Sequence, residues 1–348
     1  MNKKSKKISP VFLVLSILLC LLIVWGCTII GAASVSVGDA NRILLNKLFH
    51  VSADLENISK GAVTIIWNIR FPRILLGFLA GAALAVSGAG YQGIFKNPMA
   101  DPFVLGVSSG AALGAAIGIV CRFSFRIGIF NSTMLLAFAG SFAALILVYS
   151  ISRVGRKVPV ATLLLSGVAV NSTLSAVMSF MMMLNKQSMD QIMFWTMGTM
   201  NGKGWKQIAA VLPWVIIGVI IMFLSARELD IMLTGEETAT QLGVNIEFVK
   251  RKVLFASSLL TASVISVTGI IGFVGLVVPH VVRLFTGPKH HKLLPVSLIF
   301  GGAFLVICDT LARSLTTSEI PVGVITSICG GPFFLYLLRK TKKGGAAS

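Results

Sequence analysis

Residues 72–93 read PRILLGFLAGAALAVSGAGYQG. The only charged residue in this stretch is Arg73, at its start. An apolar run of about 20 residues is the length at which a helix crosses the hydrocarbon of a bilayer. Pro72 suits a first helical turn, where its missing N–H would have no partner in any case. The stretch is therefore expected to be a membrane-spanning helix that begins near Pro72.

Comparable runs lie on either side, at approximately 11–32, 103–121, 133–152, 160–184, 207–225, 253–271, 273–286, 293–312 and 321–339. Of the 348 residues, 55% are hydrophobic and 12% charged, against about 25% charged in soluble domains. The expectation is an all-α integral membrane protein with about ten transmembrane helices. Gly and Pro interrupt the third and eighth runs. The eighth is too short to span alone and reads as a partial helix dipping into the protein, where non-helical backbone is tolerated only if protein covers it.

The formal net charge of +18 would suggest nucleic acid in a soluble chain. Here the basic residues flank apolar runs, so they set orientation and face anionic lipid rather than nucleic acid. An even number of crossings puts both termini on one side, and 19 of the 30 Lys and Arg fall on that side. Both termini are expected to be cytoplasmic. Lys3, Lys4, Lys6 and Lys7 followed by an apolar run imitate a signal peptide, but the run from Val11 to Ile30 exceeds the about 7–15 residues of such a segment. It reads as a retained first helix. The chain divides into a cytoplasmic tail (1–10), one transmembrane domain (11–340) and a disordered tail (341–348). Cys20, Cys27, Cys121, Cys308 and Cys329 lie in or beside apolar runs and read as small hydrophobes.

No enzyme constellation is evident. Gly202-Lys203-Gly204 has neither the spacing nor the hydroxyl residue of a phosphate loop. His280, His290 and His291 read as flanking positive residues rather than metal ligands. Buried ionisable groups mark ion-coupled transporters, and only Asp309 stands out. Arg313, four residues on, shares its helix face and is expected to pair with it. This scarcity argues against a proton or sodium symporter, so the driving energy has to come from another subunit.

Two polar sites offer places for partners. Gly235-Glu236-Glu237-Thr238-Ala239-Thr240-Gln241-Leu242-Gly243 lies in the polar stretch 227–252. It reads as a short amphipathic helix with a glycine stop, able to seat in a partner's groove. On the opposite side, Arg70 and Arg73 share a face at the expected helix start, where the macrodipole disfavours positive charge. That placement hints at an acidic partner, since arginine binds carboxylates bidentately. Gly77 and Gly81, then Gly110, Gly114 and Gly118, stand at the spacing that lets membrane helices approach closely.

Four stretches together resemble the FecCD-like permeases of bacterial type II ABC importers for iron-siderophore, haem and cobalamin. They are residues 70–115, RFPRILLGFLAGAALAVSGAGYQGIFKNPMADPFVLGVSSGAALGA; GEETATQLGV at 235–244; GIIGFVGLVVPHVVRLFTG at 269–287; and CDTLARSL at 308–315 followed by EIPVGVITSICGGPFF. The resemblance implies a ten-helix type II importer permease in the bacterial cytoplasmic membrane, paired with a second copy or a paralogue. It implies separate cytoplasmic ATPase subunits, which would carry ATP and Mg, and an external substrate-binding protein. It assigns ATPase coupling to Gly235, Glu236, Glu237, Thr238, Ala239, Leu242 and Gly243, with Thr238 in place of the usual alanine or serine. It assigns binding-protein docking to Arg70, Arg73 and Arg313. The pathway would be lined by the fifth and tenth helices, which hold Ser166, Asn171, Met178 and Ile325, with the methionines up to Met200 as an adaptable lining. The cargo expected is a ferric siderophore or related iron complex, with cobalamin or haem as the alternative.

Overall fold

A computed structural model describes residues 10–31, 33–50, 58–155, 157–316 and 318–345. The tail expected at 1–10 lies, but for Pro10, outside the described residues. Ten helices coincide with the ten apolar runs: α1 (Pro10–Ile29), α4 (Phe71–Ile94), α5 (Val107–Val120), α6 (Ser132–Ser152), α7 (Val160–Leu184), α9 (Trp205–Met232), α11 (Ile246–Thr268), α12 (Val274–Thr286), α13 (His290–Ser314) and α14 (Val322–Gly345). Among the described residues, six helices are long and apolar enough to cross a membrane. These are α1, the helix containing α4, α6, α7, α9 and α13. α11 has the length but opens with Glu247, Lys250, Arg251 and Lys252. α5 and α12, at 14 and 13 residues, are partial helices; the sequence implies this for the eighth run, whereas the third, 103–121, is expected to span and proves shorter because Pro102–Leu105 forms a separate turn.

α4 is the central post, buried along almost its whole length against α9, α11, α12 and α13. Small residues permit this. A Cβ on Gly81 would stand 2.1 Å from the carbonyl oxygen of Gly301 on α13, so the two backbones touch. Gly110 meets the Gly140 carbonyl between α5 and α6 in the same way, at 2.3 Å. The glycine spacing thus serves tight packing. α1 and α7 lie at the periphery, mostly exposed to whatever surrounds the protein.

The second spanning helix does not begin near Pro72. It runs unbroken from Lys60 to Ile94 through α3 (Lys60–Val63) and a π-helical turn, Thr64–Arg70. The proline explains the π register. Pro72 has no N–H to donate and its ring crowds the preceding turn. The widened turn, with Phe71 N–H bonded to the Ile66 carbonyl, absorbs it. Arg70 and Arg73 are therefore in mid-helix, and the macrodipole argument about them does not hold.

Six further short elements complete the order, one of them the single helical turn Pro102–Leu105. α2 (Val37–Phe49) is an amphipathic helix capped by Ser36, whose Oγ accepts the Asp39 N–H at 3.0 Å. A two-stranded turn pairs β1 (Arg126–Ile127) with β2 (Phe130–Asn131). α8 (Lys186–Thr196) folds back after α7, and α10 (Glu236–Gln241) joins α9 to α11. The polar stretch expected over 227–252 is mostly helix, because α9 extends to Met232 and α11 starts at Ile246. α14 continues to Gly345, into the tail expected to be disordered from 341. Thr341, Lys342 and Lys343 offer no stop signal before the glycines.

The helices alternate between an end marked by Arg73 and an end marked by α10. Two connections re-enter the body. From Ile94 the chain turns back, and Pro102 packs near the Leu84 carbonyl, both within about van der Waals reach of Gly275. Leu84 is ten residues before the end of α4, so Pro102 lies about 15 Å inside the α10 end. The second is the 269–273 link, which drops from the end of α11 to the N-terminus of the partial helix α12.

Candidate functional site

At the α10 end, Gly235 precedes the helix with φ of +117°, a conformation costly for any residue with a Cβ. The last turn closes as a Schellman motif. Val244 N–H bonds to the Ala239 carbonyl at 3.0 Å and Gly243 N–H to the Thr240 carbonyl at 2.9 Å, with Gly243 at φ +85°. Ala239 is fully buried and fastens α10 to the body, while Leu242 is 64% exposed. Glu236 meets Lys250 at 3.2 Å and Lys96 at 3.8 Å, tying α10 to α11 and to the α4 exit. Glu237, Thr238 and Gly243 are exposed. Beside α10 lies a groove of about 630 Å³ bordered by Glu237, Gly243, Glu247 and Lys157. Glu247 accepts the Val158 N–H at 3.2 Å, which holds Val158, next to the groove-lining Lys157, against α11. The arrangement is a shelf fastened to the body, with Leu242 exposed beside a polar groove.

Behind the shelf, Asp230 gathers the start of α13. It takes the His290 N–H and lies 2.5 Å from His291 Nδ1. Arg283 Nη2 donates to Gln92 Oε1 at 3.1 Å, and His280 packs edge-on against Phe333. These histidines thus join α9, α12, α13 and α14 at this end.

At the other end the three arginines are buried, at 4%, 5% and 6% exposure for Arg70, Arg73 and Arg313. Arg70 donates to the carbonyls of Ile29 and Ala33. Arg313 donates to the Cys27 carbonyl. Arg73 grips Asp309 through Nε and Nη2 at 2.9 Å each, and its Nη1 reaches Glu319 at 2.8 Å. The pair expected between Asp309 and Arg313 is therefore replaced by one between Asp309 and Arg73. Helix spacing places Arg313 on the right face, but α4 and α13 pack so closely that the Arg73 fork meets the carboxylate bidentately, a better geometry. Solvent at this end meets other cations instead: Arg42, Lys47, Lys60, Arg122, Arg126, Lys186 and Lys206 are all exposed.

A cleft of about 630 Å³ opens between the end of α8, the 269–273 link, α14 and the re-entrant 95–106 segment. Thr196, Met197, Phe273, Val324, Ser327 and Ile328 line it, and so does Asp101. Of the pathway residues the sequence suggested, Ile325 is buried on α14 beside this cleft. Asn171 is a brace, with Nδ2 donating to the Phe103 and Val104 carbonyls at 3.0 and 3.2 Å. Ser166 and Met178 are half-buried on α7, away from the cleft's lining. Asp101 was not apparent as an intramembrane acid, because only the fold-back of 95–106 carries it to that depth.

A shelf, a buried arginine cluster and a cleft reached by partial helices form one ten-helix body. The model of the FecCD transport family matches residues 14–340. The chain belongs to that family. It is 49% identical to a cobalamin import system permease of Halobacterium salinarum over 81% of this chain and 75% of the relative. It is 38% identical to a hemin transport system permease of Yersinia pestis over 91% and 96%. It is 34% identical to a ferric citrate import permease of Bacillus subtilis over 98% of each chain. A solved structure described as an inward-facing, metal-chelate type ABC transporter superposes with a TM-score of 0.82 at 28% identity, covering 95% of this chain and 100% of that one. The protein is thus a multi-pass membrane permease subunit of a type II ABC importer.

Proposed function

We propose that this chain carries a corrinoid across the bacterial cytoplasmic membrane, driven by ATP hydrolysis on separate subunits. The observation that carries the ATP-driven part is the α10 shelf: a short helix locked to the body by Ala239, with Leu242 exposed above a groove. Such a helix suits seating in a partner's surface. Glu237, Thr238, Leu242 and Gly243 would meet an ATPase bearing ATP and Mg, while Gly235, Glu236 and Ala239 would transmit its motion to α9, α11 and α4. The α10 end is then cytoplasmic, in keeping with the excess of Lys and Arg on that side.

The Arg73 end faces out. A binding protein would meet its exposed cations, and its carboxylates would compete with the partly exposed Glu319 for Arg73. Arg70 and Arg313, engaged by backbone carbonyls, brace that surface. A second copy or a paralogue would cover the α7 and α14 faces, and the cleft at Thr196, Phe273 and Ser327 would be one wall of the pathway. Alternating access then needs no tight site in the membrane, since a ligand held equally in both states shifts nothing and the drive comes from ATP.

The corrinoid is favoured over the ferric siderophore suggested by the sequence because identity over the matched residues is higher to the cobalamin permease, at 49%, than to the haem and ferric citrate permeases, at 38% and 34%. Cargo is tested by reconstituting the permease with its ATPase and binding protein and comparing cyanocobalamin, a ferric hydroxamate and hemin. The reading expects ATP-dependent uptake of cyanocobalamin; uptake of the hydroxamate alone would overturn it.

A further inference from the structure

The re-entrant segment brings one carboxylate to membrane depth on the wall of the cleft. Asp101 directly precedes Pro102, which packs beside Gly275 and the Leu84 carbonyl, well inside the α10 end. It is the only ionisable side chain among the residues lining the cleft; the others are apolar, glycine, Thr196 or Ser327. One of its oxygens, Oδ1, accepts the Phe103 N–H at 2.8 Å and caps the short helical turn Pro102–Leu105. That bond explains a capping residue at this position, but asparagine would serve as well, so capping does not account for the charge. Ionisable groups at membrane depth are expensive and cluster along substrate paths.

We infer that Asp101 is a charge filter: the cleft passes neutral or cationic chelates and disfavours anionic ones of the same size. This rests on the reading of the cleft as a pathway wall. A cargo large enough to fill the cleft brings its own charge to within about 10 Å of the carboxylate. At the effective dielectric of a protein interior, that repulsion slows passage on the order of tenfold. The N-terminus of α12, at Phe273, faces the same cleft and offers a partial positive charge. It is at most about half an elementary charge, so the ionised carboxylate of Asp101 sets the sign. A neutral corrinoid fits the filter, and a carboxylate-rich ferric chelate does not.

The test uses the full complex in proteoliposomes, with the binding protein preloaded in separate runs with cyanocobalamin and with its monocarboxylate derivative, which differs by one negative charge at nearly constant size. The readout is the ratio of the two uptake rates per turnover, which cancels differences in expression and assembly. Wild type is expected to favour the neutral cargo by about tenfold, and Asp101→Asn, which keeps the cap, to bring the ratio close to one. Adding Ser327→Asp to Asp101→Asn moves the charge to another wall of the cleft and is expected to restore discrimination. An unchanged ratio in Asp101→Asn, with wild type transporting normally, overturns the filter while leaving the pathway reading intact. Failure of wild type to move either corrinoid overturns the cargo reading, and the filter is then read on a neutral and an anionic ferric hydroxamate, where equal ratios in wild type and Asp101→Asn again overturn it.

Discussion

Replacing Asp309 with asparagine removes one charge and almost no volume from the contact between α4 and α13. In the native protein Arg73 holds Asp309 through Nε and Nη2, both at 2.9 Å, with 6% and 1% of the two side chains exposed. The substitution leaves a buried guanidinium facing a neutral amide. Breaking a buried ion pair from one side costs about 3–5 kcal/mol. Glu319 stays 2.8 Å from Nη1, but its side chain is a third exposed, so it offsets only part of the loss. The expected destabilisation is about 3 kcal/mol, at the low end of that range. Thermal unfolding in detergent, read with a thiol-reactive dye in a background where the exposed Cys121 and Cys329 are replaced by serine, measures it, since Cys20, Cys27 and Cys308 are buried in the folded protein. Arg73→Met combined with Asp309→Leu removes both charges for side chains of similar bulk, and is expected to recover to within about 1 kcal/mol of wild type, because apolar replacement of buried pairs is often neutral. If Asp309→Asn were as stable as wild type, or the double variant no better than the single, the pair would not be what fastens these helices at this end.

Four other outcomes are expected. Leu242→Asp should lower affinity for the ATPase subunit at least tenfold in pull-down titration, yet shift stability by no more than about 0.5 kcal/mol, as for surface changes generally. Ala239→Leu should cost about 1–3 kcal/mol by overpacking and reduce ATP-dependent uptake as the shelf shifts, measured by thermal unfolding and transport together. Gly243→Val forces a β-branched residue to φ near +85°, at about 1–3 kcal/mol of local strain; membrane insertion should persist while coupling of ATP hydrolysis to uptake falls, and normal uptake would remove Gly243 from the coupling site. Gly81→Ala drives a methyl into the Gly301 carbonyl and should reduce folded protein sharply, seen as lost yield of monodisperse permease.

The six long apolar helices were legible because each carries its own signal: a long apolar run. The partial helix α12 was legible too, from its length and from the prolines and glycines around it. α2 and α8 were missed because short amphipathic helices at a membrane surface lack a long apolar run. The π turn before Pro72 was missed because the proline read as a start, when it also fits a helix that widens to admit it. At the site, local signals carried over and long-range ones did not. Gly243 read as a helix stop and closes the Schellman turn of α10. Asp309 and Arg313 share a helix face, yet the carboxylate is taken by Arg73 on α4, since spacing within one helix says nothing about what a neighbouring helix brings. The arginines read as outward because the sequence could not place the carbonyls of Ile29, Ala33 and Cys27 beside them. Asp101 became visible only through the fold-back that carries it inside.

The proposed role makes this chain a path whose engine lies in other subunits. The direct measurement is uptake of cyanocobalamin into sealed proteoliposomes, comparing the permease alone under an imposed proton or sodium gradient with the permease joined to its ATPase and loaded binding protein and given ATP. The account predicts uptake only in the second case, abolished by a non-hydrolysable ATP analogue. Gradient-driven accumulation by the permease alone would contradict it.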